Sequence, residues 1–289
     1  MCRCNLAVTV SGVVDYVYVE SRGAHGHHAV GSFDALVGTH REIWIGSDCS
    51  GLIRETSGPV SFFTADGEAR WRAAGSRDLE GTGIDLFAPG CIGTQRWELA
   101  GLPPDPEQLA AELSRRVPLT LKRVYDLLGE SLAEPDLCRA VYEIARRLDH
   151  VVDLGETHDQ LGRAGLGLAR VEHGDRVEAI FSRDARELLA YQRFLADPSR
   201  GYAPVGTLVS WAAFMHRELV DSLPEGIPPV PGPPCSPPGG GRGTVIEPGF
   251  FLGTGYFNDL EPQLEEWLAQ GVISDAQYRA VKDRRLPDS

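Results

Sequence analysis

Hydrophobic and polar positions alternate at every second residue near the start of the chain, which is typical of a half-buried β-strand. This pattern predicts strands over residues 13–20, 37–45 and 51–57. Residues 46–51 contain glycine, serine and aspartate and predict a hairpin turn between the second and third strands. Residues 23–31 are rich in glycine and histidine and predict a loop. Residues 62–104 predict irregular structure with a short helix near 66–71.

The spacing of apolar residues changes to three and four positions after Pro106, which suits the first turn of a helix. Three amphipathic helices are predicted, and each needs an apolar surface to cover. Their apolar positions are Leu109 and Leu113 in the first, Leu121, Val124, Tyr125, Leu128 and Leu132 in the second, and Leu137, Val141, Ile144 and Leu148 in the third.

Strand patterns return after these helices. The predicted strands are 150–154, 165–172, 176–182, 187–195 and 204–216, with a turn at residues 173–175. The last strand is apolar on both faces, which indicates that both are covered. Strands at both ends with helices between them predict an α+β fold: a curved antiparallel sheet, or half-barrel, packed on about three central helices.

Composition divides the chain into three parts. Residues 1–223 form the predicted body, and residues 224–243 are rich in proline and glycine and are predicted to be a linker. Residues 244–289 combine an aromatic, glycine-rich patch with two short predicted helices, a small helical C-terminal appendage.

The net charge of −13 opposes contact with phosphate backbones and anionic lipid surfaces, so nucleic acid is not an expected partner. No segment reaches the roughly 18–20 uninterrupted apolar residues of a membrane helix. The start of the chain does not have the pattern of a signal peptide. We therefore expect a soluble, cytoplasmic protein whose six scattered cysteines are reduced thiols.

Four segments resemble a family of uncharacterised actinobacterial proteins. They are Arg41-Glu42-Ile43-Trp44-Ile45 with the Ser50-Gly51 turn, Trp71-Arg72-Ala73-Ala74-Gly75-Ser76, Leu102-Pro103-Pro104-Asp105-Pro106, and Phe181-Ser182-Arg183-Asp184-Ala185-Arg186-Glu187-Leu188-Leu189. The resemblance spans roughly residues 13–222. It implies a half-barrel similar to lipoprotein-carrier and sigma-regulator domains, usually anchored to a membrane by an N-terminal helix. No activity is assigned to the family, so it supplies no catalytic residues.

We expect this chain to depart from that family in three respects: its sequence shows no segment with the pattern of an N-terminal anchor, it carries Cys49 in the hairpin turn, and it adds the linker and tail. The tail resembles the short C-terminal helical hairpin (SHOCT-like) appended to many bacterial proteins, which implies contact with a protein partner. The matching residues are Leu264, Leu268, Gly271-Val272-Ile273-Ser274, Tyr278, Lys282 and Leu286.

Candidate chemistry lies on two strands. His40, Glu42 and Trp44 share one strand face, and together with Tyr16 and Tyr18 they could line a cavity. A histidine beside a carboxylate and aromatic rings suits acid–base work on an apolar molecule, although alternating polar residues are also typical of a solvent-facing strand.

The last strand supplies Trp211, Phe214 and His216, which either belong to the same pocket wall or are part of the core. Cys2 and Cys4 with His25, His27 and His28 offer zinc-ligand types, but their spacing matches no standard site, so no metal is expected. A phosphate loop and a dinucleotide fingerprint are both missing from the sequence, so no cofactor is expected.

Three functions stay open. The first is a binding module for a hydrophobic or amphipathic ligand or a peptide in a half-barrel cleft. The second is a cofactor-independent enzyme of specialised metabolism that uses the cleft, with His40, Glu42 or His216 as its acid–base groups. The third is a regulatory or scaffold protein that acts through the C-terminal hairpin.

Overall fold

The computed structural model describes residues 16–29, 33–47, 50–73, 81–87, 99, 101–115, 119–200 and 203–227. These residues form one open antiparallel sheet and four α-helices, so the predicted α+β class is confirmed. The strands are β1 (Tyr16–Ala29), β2 (Phe33–Gly46), β3 (Gly51–Phe62), β4 (Gly81–Phe87), β5 (Val152–His158), β6 (Ala164–Glu172), β7 (Asp175–Phe181), β8 (Leu188–Leu195) and β9 (Leu208–Val220). The helices are α1 (Ala65–Ala73), α2 (Pro106–Ser114), α3 (Leu121–Leu128) and α4 (Pro135–Ala145).

Two meanders meet in the middle of the sheet. The strand order is β4-β3-β2-β1-β9-β8-β7-β6-β5, so β1 and β9, the first and last strands, lie side by side. Val19 of β1 pairs with Arg217 of β9, and a bulge interrupts the register between Glu20 and Ser21. The join between the two halves of the sheet therefore rests on one long-range pairing.

The predicted loop over residues 23–31 is wrong for residues 23–29, because β1 continues through Ala29. β2 pairs with this segment through Ala29, and β9 pairs with it as far as His25. These backbone hydrogen bonds outweigh its low strand propensity. At Gly23 a Cβ atom would lie 2.5 Å from the carbonyl oxygen of Trp211. Glycine is therefore needed here for the close approach of β9.

Two more boundaries differ from the sequence prediction. Strand β4 lies within a region predicted as irregular, and the last strand runs from Leu208 to Val220, later than predicted. The last strand begins late because residues before it form a turn in which the Gly206 N–H donates to the Leu195 carbonyl. Gly206 has a φ of 88°, which glycine adopts without strain.

Pro106 and the turn at residues 173–175 lie where the sequence predicts them, and two side-chain caps that were not predicted begin α2 and α3. The Asp105 side chain accepts a hydrogen bond from the Gln108 N–H at 2.9 Å, and Pro106 occupies the first turn of α2. Thr120 caps α3 in the same way. The predicted hairpin turn before Asp175 is confirmed, with Glu172 and Asp175 forming its last pair.

One face of the sheet, here called the helix face, packs against α2, α3 and α4. Val19, Ile43 and Phe214 on this face belong to one continuous cluster of buried side chains with the apolar residues of the helices. The opposite face is called the outer face. Successive side chains of a strand point to opposite faces. In a regular strand, the known face of one core residue therefore gives the face of each of the other residues.

Arg217 links the turn after α3 to the helix face by hydrogen bonds. Its guanidinium donates to the carbonyl oxygens of Gly129 at 3.3 Å and Leu188 at 2.9 Å, and to Glu187 Oε1 at 2.8 Å. It also lies 4.4 Å from the ring centre of Phe214. Burial lowers the pKa of Arg217 to about 10, so the group stays charged at neutral pH.

A second arginine reaches the same turn from the other half of the sheet. Arg41 of β2 donates to Glu130 at 2.9 Å and to Glu55 of β3 at 3.0 Å. The α3–α4 turn is therefore held by charged hydrogen bonds from both meanders, and such bonds are stronger than neutral ones.

The chain divides into two compact units, Met1–Gly239 and Gly240–Ser289, and the described residues all belong to the first. Residues 224–227, the start of the predicted linker, form a turn in which the Ile227 N–H donates to the Pro224 carbonyl at 3.4 Å. The rest of the predicted linker at 224–243 and the helical appendage at 244–289 lie outside the described residues and stay predictions. The same holds for a partner bound by the tail hairpin. Within the described ranges no helix has the length and apolar content needed to cross a bilayer.

Replacing Gly23 by alanine should destabilise the protein, because the new methyl group meets backbone atoms of β9 that cannot move independently of the sheet. We expect the free energy of unfolding in urea to fall by about 1–3 kcal/mol, as for other overpacked sites. Gly83→Ala on β4 is the matched control, since a Cβ there has no described atom within 4 Å. Equal losses in the two variants would contradict a specific requirement at Gly23.

Candidate ligand-binding site on the outer face

Strands β1, β2 and β3 bring a row of aromatic and charged side chains together on the outer face. Tyr18 pairs with Trp44, and Glu20 pairs with Glu42, which in turn pairs with Arg54. The neighbours of Tyr18 on β1, Val17 and Val19, lie in the helix-face core, so strand alternation directs this row away from the helices. We call the outer-face cluster the following set: Tyr18, Glu20, His40, Glu42, Trp44, Arg54 and His216.

The aromatic part of the cluster is a stacked pair. The ring centres of Tyr18 and Trp44 are 4.9 Å apart with an interplanar angle of 38°, a distance at which aromatic pairs attract. The Arg54 guanidinium lies 5.3 Å from the Trp44 ring centre, within range of a cation–π interaction. Trp44 is only 6% exposed, so Tyr18 offers the more accessible ring of the pair.

Glu42 is held as a carboxylate. It accepts two hydrogen bonds from Arg54, at 2.6 and 2.7 Å, and one from the Tyr18 hydroxyl at 3.2 Å. The bonds from Arg54 are the main reason that the pKa of Glu42 lies below its ordinary value. Burial, and next the charge of Glu42, raise the pKa of Tyr18. At neutral pH the pair is therefore a carboxylate beside a protonated phenol.

The structure pairs His40 with Glu20. His40 Nε2 lies 2.9 Å from Glu20 Oε1, and the His40 side chain is 43% exposed. Because Glu42 is already bound by Arg54 and Tyr18, the carboxylate that can orient the His40 ring is Glu20. The sequence prediction named the histidine but not this partner.

The bulge in the β1–β9 pairing adds His216 to the cluster. It sets His216 opposite Glu20, with its ring centre 6.1 Å from that of Tyr18. His216 Nε2 also lies 3.3 Å from Glu218 Oε1, and both side chains are about half exposed. All three predicted acid–base residues therefore lie on one surface, although none of them lies beneath the helices.

The other predicted ligand-binding residues are divided between the two faces. Tyr16 lies on the outer face at the end of β1, half-buried. Trp211 lies on the outer face but packs against Ile180, Ala190 and Ala213. Phe214 is 1% exposed and lies in the helix-face core. The structure does not bring Phe214 and Trp211 into one wall with the outer-face cluster.

The weak metal candidates are not assembled within the described residues. Cys2 and Cys4 lie outside them, and of His27 and His28 only the backbone in β1 is described. His25 is buried on the helix face of β1. Among the described side chains no group of three or more histidine, cysteine, aspartate or glutamate residues could hold a metal ion.

Glu20 and Arg54 were missed by sequence reasoning. Glu20 shares a strand face with Tyr18, so alternation alone could have included it. Arg54 follows from the β2–β3 hairpin, whose register places it opposite Glu42. The β2–β3 turn sets that register. A register shifted by one residue would place Arg54 on the opposite face of the sheet from Glu42.

Replacing Glu42 by glutamine should destabilise the protein at neutral pH and progressively less in acid. The folded-state pKa is depressed, so the carboxylate contributes stability above its ordinary pKa of 4.5 and loses it as pH falls through the lower folded pKa. We expect a loss of about 1 kcal/mol at pH 7, typical of a partly exposed charged contact, measured by urea unfolding between pH 7 and 3. A loss that does not shrink with acid would contradict this assignment. Glu156→Gln, at a more exposed ion pair on β5, is the control and should cost less.

Known proteins do not supply a function. No protein-family model matches the chain, and no curated protein is significantly similar to it. The resemblance noted from the sequence stays an expectation, so function has to be argued from the arrangement of side chains.

Proposed function

We propose that the protein is a binding module for an amphipathic ligand or peptide, and that this ligand contacts the outer-face cluster. The observation that carries the proposal is the stacked Tyr18–Trp44 pair bordered by the carboxylates of Glu20 and Glu42. Aromatic rings can contact the apolar part of a ligand, and fixed charges beside them can orient its polar end.

The charges of the cluster favour a ligand with a cationic end. Glu20, Glu42 and the neighbouring Glu218 contribute three carboxylates on the outer face, whereas Arg54 and Arg22, which pairs with His40, contribute two guanidinium groups. The net charge of −13 acts in the same direction at longer range. Arg54 itself, stacked on Trp44 and bonded to Glu42, shows that the cluster accommodates a guanidinium group.

A half-barrel cleft between helices and sheet is the other geometry considered for the same function. Described side chains of the helix face and of α2, α3 and α4 contact one another and form one buried cluster. A ligand entering there would have to separate the α3–α4 turn from Arg217 and Arg41. The outer face requires no such movement, which is why we place the ligand there.

The proposal is tested with three probes that share a dodecyl chain and differ in head group: dodecyltrimethylammonium, dodecyl sulfate and dodecyl maltoside, each below its micellar concentration. Calorimetric titration at low salt should show the tightest binding for the cationic probe. The double variant Glu20→Gln/Glu218→Gln removes two partly exposed charges worth about 0.5–1 kcal/mol each. It should weaken the cationic probe roughly fivefold to thirtyfold, and salt should diminish the difference.

Two further variants separate charge from shape. Tyr18→Leu should weaken all three probes, because it removes the accessible ring of the stacked pair and leaves the carboxylates in place. Glu156→Gln on β5 should change none of them. Equal affinities for the three head groups, or an equal effect of the control, would contradict the proposed site.

A second candidate function, a cofactor-independent enzyme, is favoured by the Glu20–His40 pair. A carboxylate 2.9 Å from one ring nitrogen orients the imidazole, and the other ring nitrogen can accept a proton from a bound molecule. The stacked rings of Tyr18 and Trp44 would hold the apolar part of such a substrate. His216 is less suited, since its nearest carboxylate, on Glu218, lies 3.3 Å away on an exposed surface.

The enzyme candidate is tested by proton abstraction from 5-nitrobenzisoxazole, whose ring opening needs a general base and releases a coloured product. An oriented His40 should accelerate the reaction by about 10²-fold or more over His40→Gln. His216→Gln should retain the wild-type rate. A wild-type rate no greater than that of His40→Gln would exclude His40 as a base in this setting.

A further inference from the structure

Glu20 lies between two histidines on the outer face. On one side, His40 Nε2 of β2 is 2.9 Å from Glu20 Oε1. On the other side, the bulge in the β1–β9 pairing sets His216 directly opposite Glu20. The side chains of His40 and His216 are 43% and 52% exposed, so protons from solvent reach both rings. One carboxylate and two imidazoles therefore lie side by side on three adjacent strands.

The fixed charges around the two histidine rings are nearly balanced. Among the described side chains they come from β1, β2, β3 and β9, and they are Glu20, Arg22, Glu42, Arg54 and Glu218. Glu218 Oε1 is 3.3 Å from His216 Nε2, and Arg22 is an exposed residue opposite His40 in the strand register. Three carboxylates against two guanidinium groups leave an excess of one negative charge while both imidazoles are neutral.

Histidine is the side chain whose charge ordinarily changes between pH 5 and 8. Carboxylates ordinarily take up protons only below about pH 5, and guanidinium groups keep theirs throughout. Burial, and next the charge of Glu42, raise the pKa of Tyr18, so its hydroxyl stays protonated. Protonating both imidazoles therefore changes the excess of one negative charge into an excess of one positive charge.

This change of sign takes place beside the accessible aromatic ring. The ring centre of His216 is 6.1 Å from that of Tyr18. His40 is bonded to Glu20, which lies two residues from Tyr18 on the same strand face. A head group at Glu20 therefore lies well within one Debye length of both imidazoles, which is about 10 Å at moderate salt.

We propose that the outer-face cluster exchanges a cationic for an anionic ligand head group when His40 and His216 are protonated. The exchange rests on the proposed function, because it describes how the same site selects its ligand. With neutral imidazoles, Glu20 attracts a cationic head group. With an imidazolium on each side, the charge of Glu20 is offset and the site attracts an anionic head group. By linkage, binding of a cationic ligand releases protons and binding of an anionic ligand takes them up.

The test compares dodecyltrimethylammonium with dodecyl sulfate at pH 8 and pH 5.5, by calorimetric titration at low salt and below the micellar concentrations. The ratio of cationic to anionic affinity should fall about twentyfold or more in acid, since each exposed charge changes an affinity roughly twofold to fivefold. The affinity for uncharged dodecyl maltoside should change far less. Titrations in two buffers of different ionisation enthalpy should show proton release with the cationic probe and proton uptake with the anionic one.

Glutamine variants separate the two histidines from the titration of the whole protein, because glutamine keeps a hydrogen-bond donor but does not titrate. In His40→Gln/His216→Gln the affinity ratio should change less than about threefold between the two pH values. Each single variant should be intermediate. His158→Gln, at an exposed position on β5, should behave as the wild type. A change in the double variant as large as in the wild type would overturn the exchange.

Failure of the exchange is distinguishable from failure of the proposed function. If the cationic probe binds most tightly at pH 8 and its advantage over the anionic probe is the same at pH 5.5, the exchange is wrong and the proposed function stands. If none of the three probes binds at either pH, the proposed function fails and the exchange fails with it.

Discussion

The pairing of β1 with β9 is the constraint on which the rest of this structure depends. Each of the other strand pairings joins strands that are consecutive along the chain, from β1–β2 to β3–β4 and from β5–β6 to β8–β9. Such hairpins form locally, whereas β1 and β9 meet only after a chain segment of nearly the whole domain has been closed. Without that pairing the described residues would form two separate meanders with unpaired edges.

Two groups of polar side chains depend in part on the same pairing. On the outer face, the bulge at Glu20 brings His216 beside the cluster that β1 and β2 already carry. On the helix face, the register beyond the bulge brings Ser210 to His25. A shift by one residue would exchange the faces of β9 and separate both sets. The close approach at Gly23 lies between the two sets and holds this register.

Strand β9 also holds the helix layer in place, through the buried guanidinium of Arg217. Arg217 belongs to β9, and its bonds to Gly129, Leu188 and Glu187 hold the turn after α3. Burying a guanidinium is costly unless its donors are satisfied, and here two carbonyls and a carboxylate satisfy them. A helix layer fastened in this way favours a ligand on the outer face over one that must lift the helices.

By itself the sequence determined the α+β class, the three central helices with Pro106 in the first turn of α2, and the hairpins β2–β3 and β6–β7. These features follow from residue spacing and turn chemistry within a few positions. Only the tertiary structure decided that residues 23–29 are strand, that His40 pairs with Glu20, and that Ser210 lies beside a histidine from the other end of the chain. Local propensity does not predict backbone hydrogen bonds that come from strands distant in sequence. It also does not predict which face the side chains take after a β-bulge.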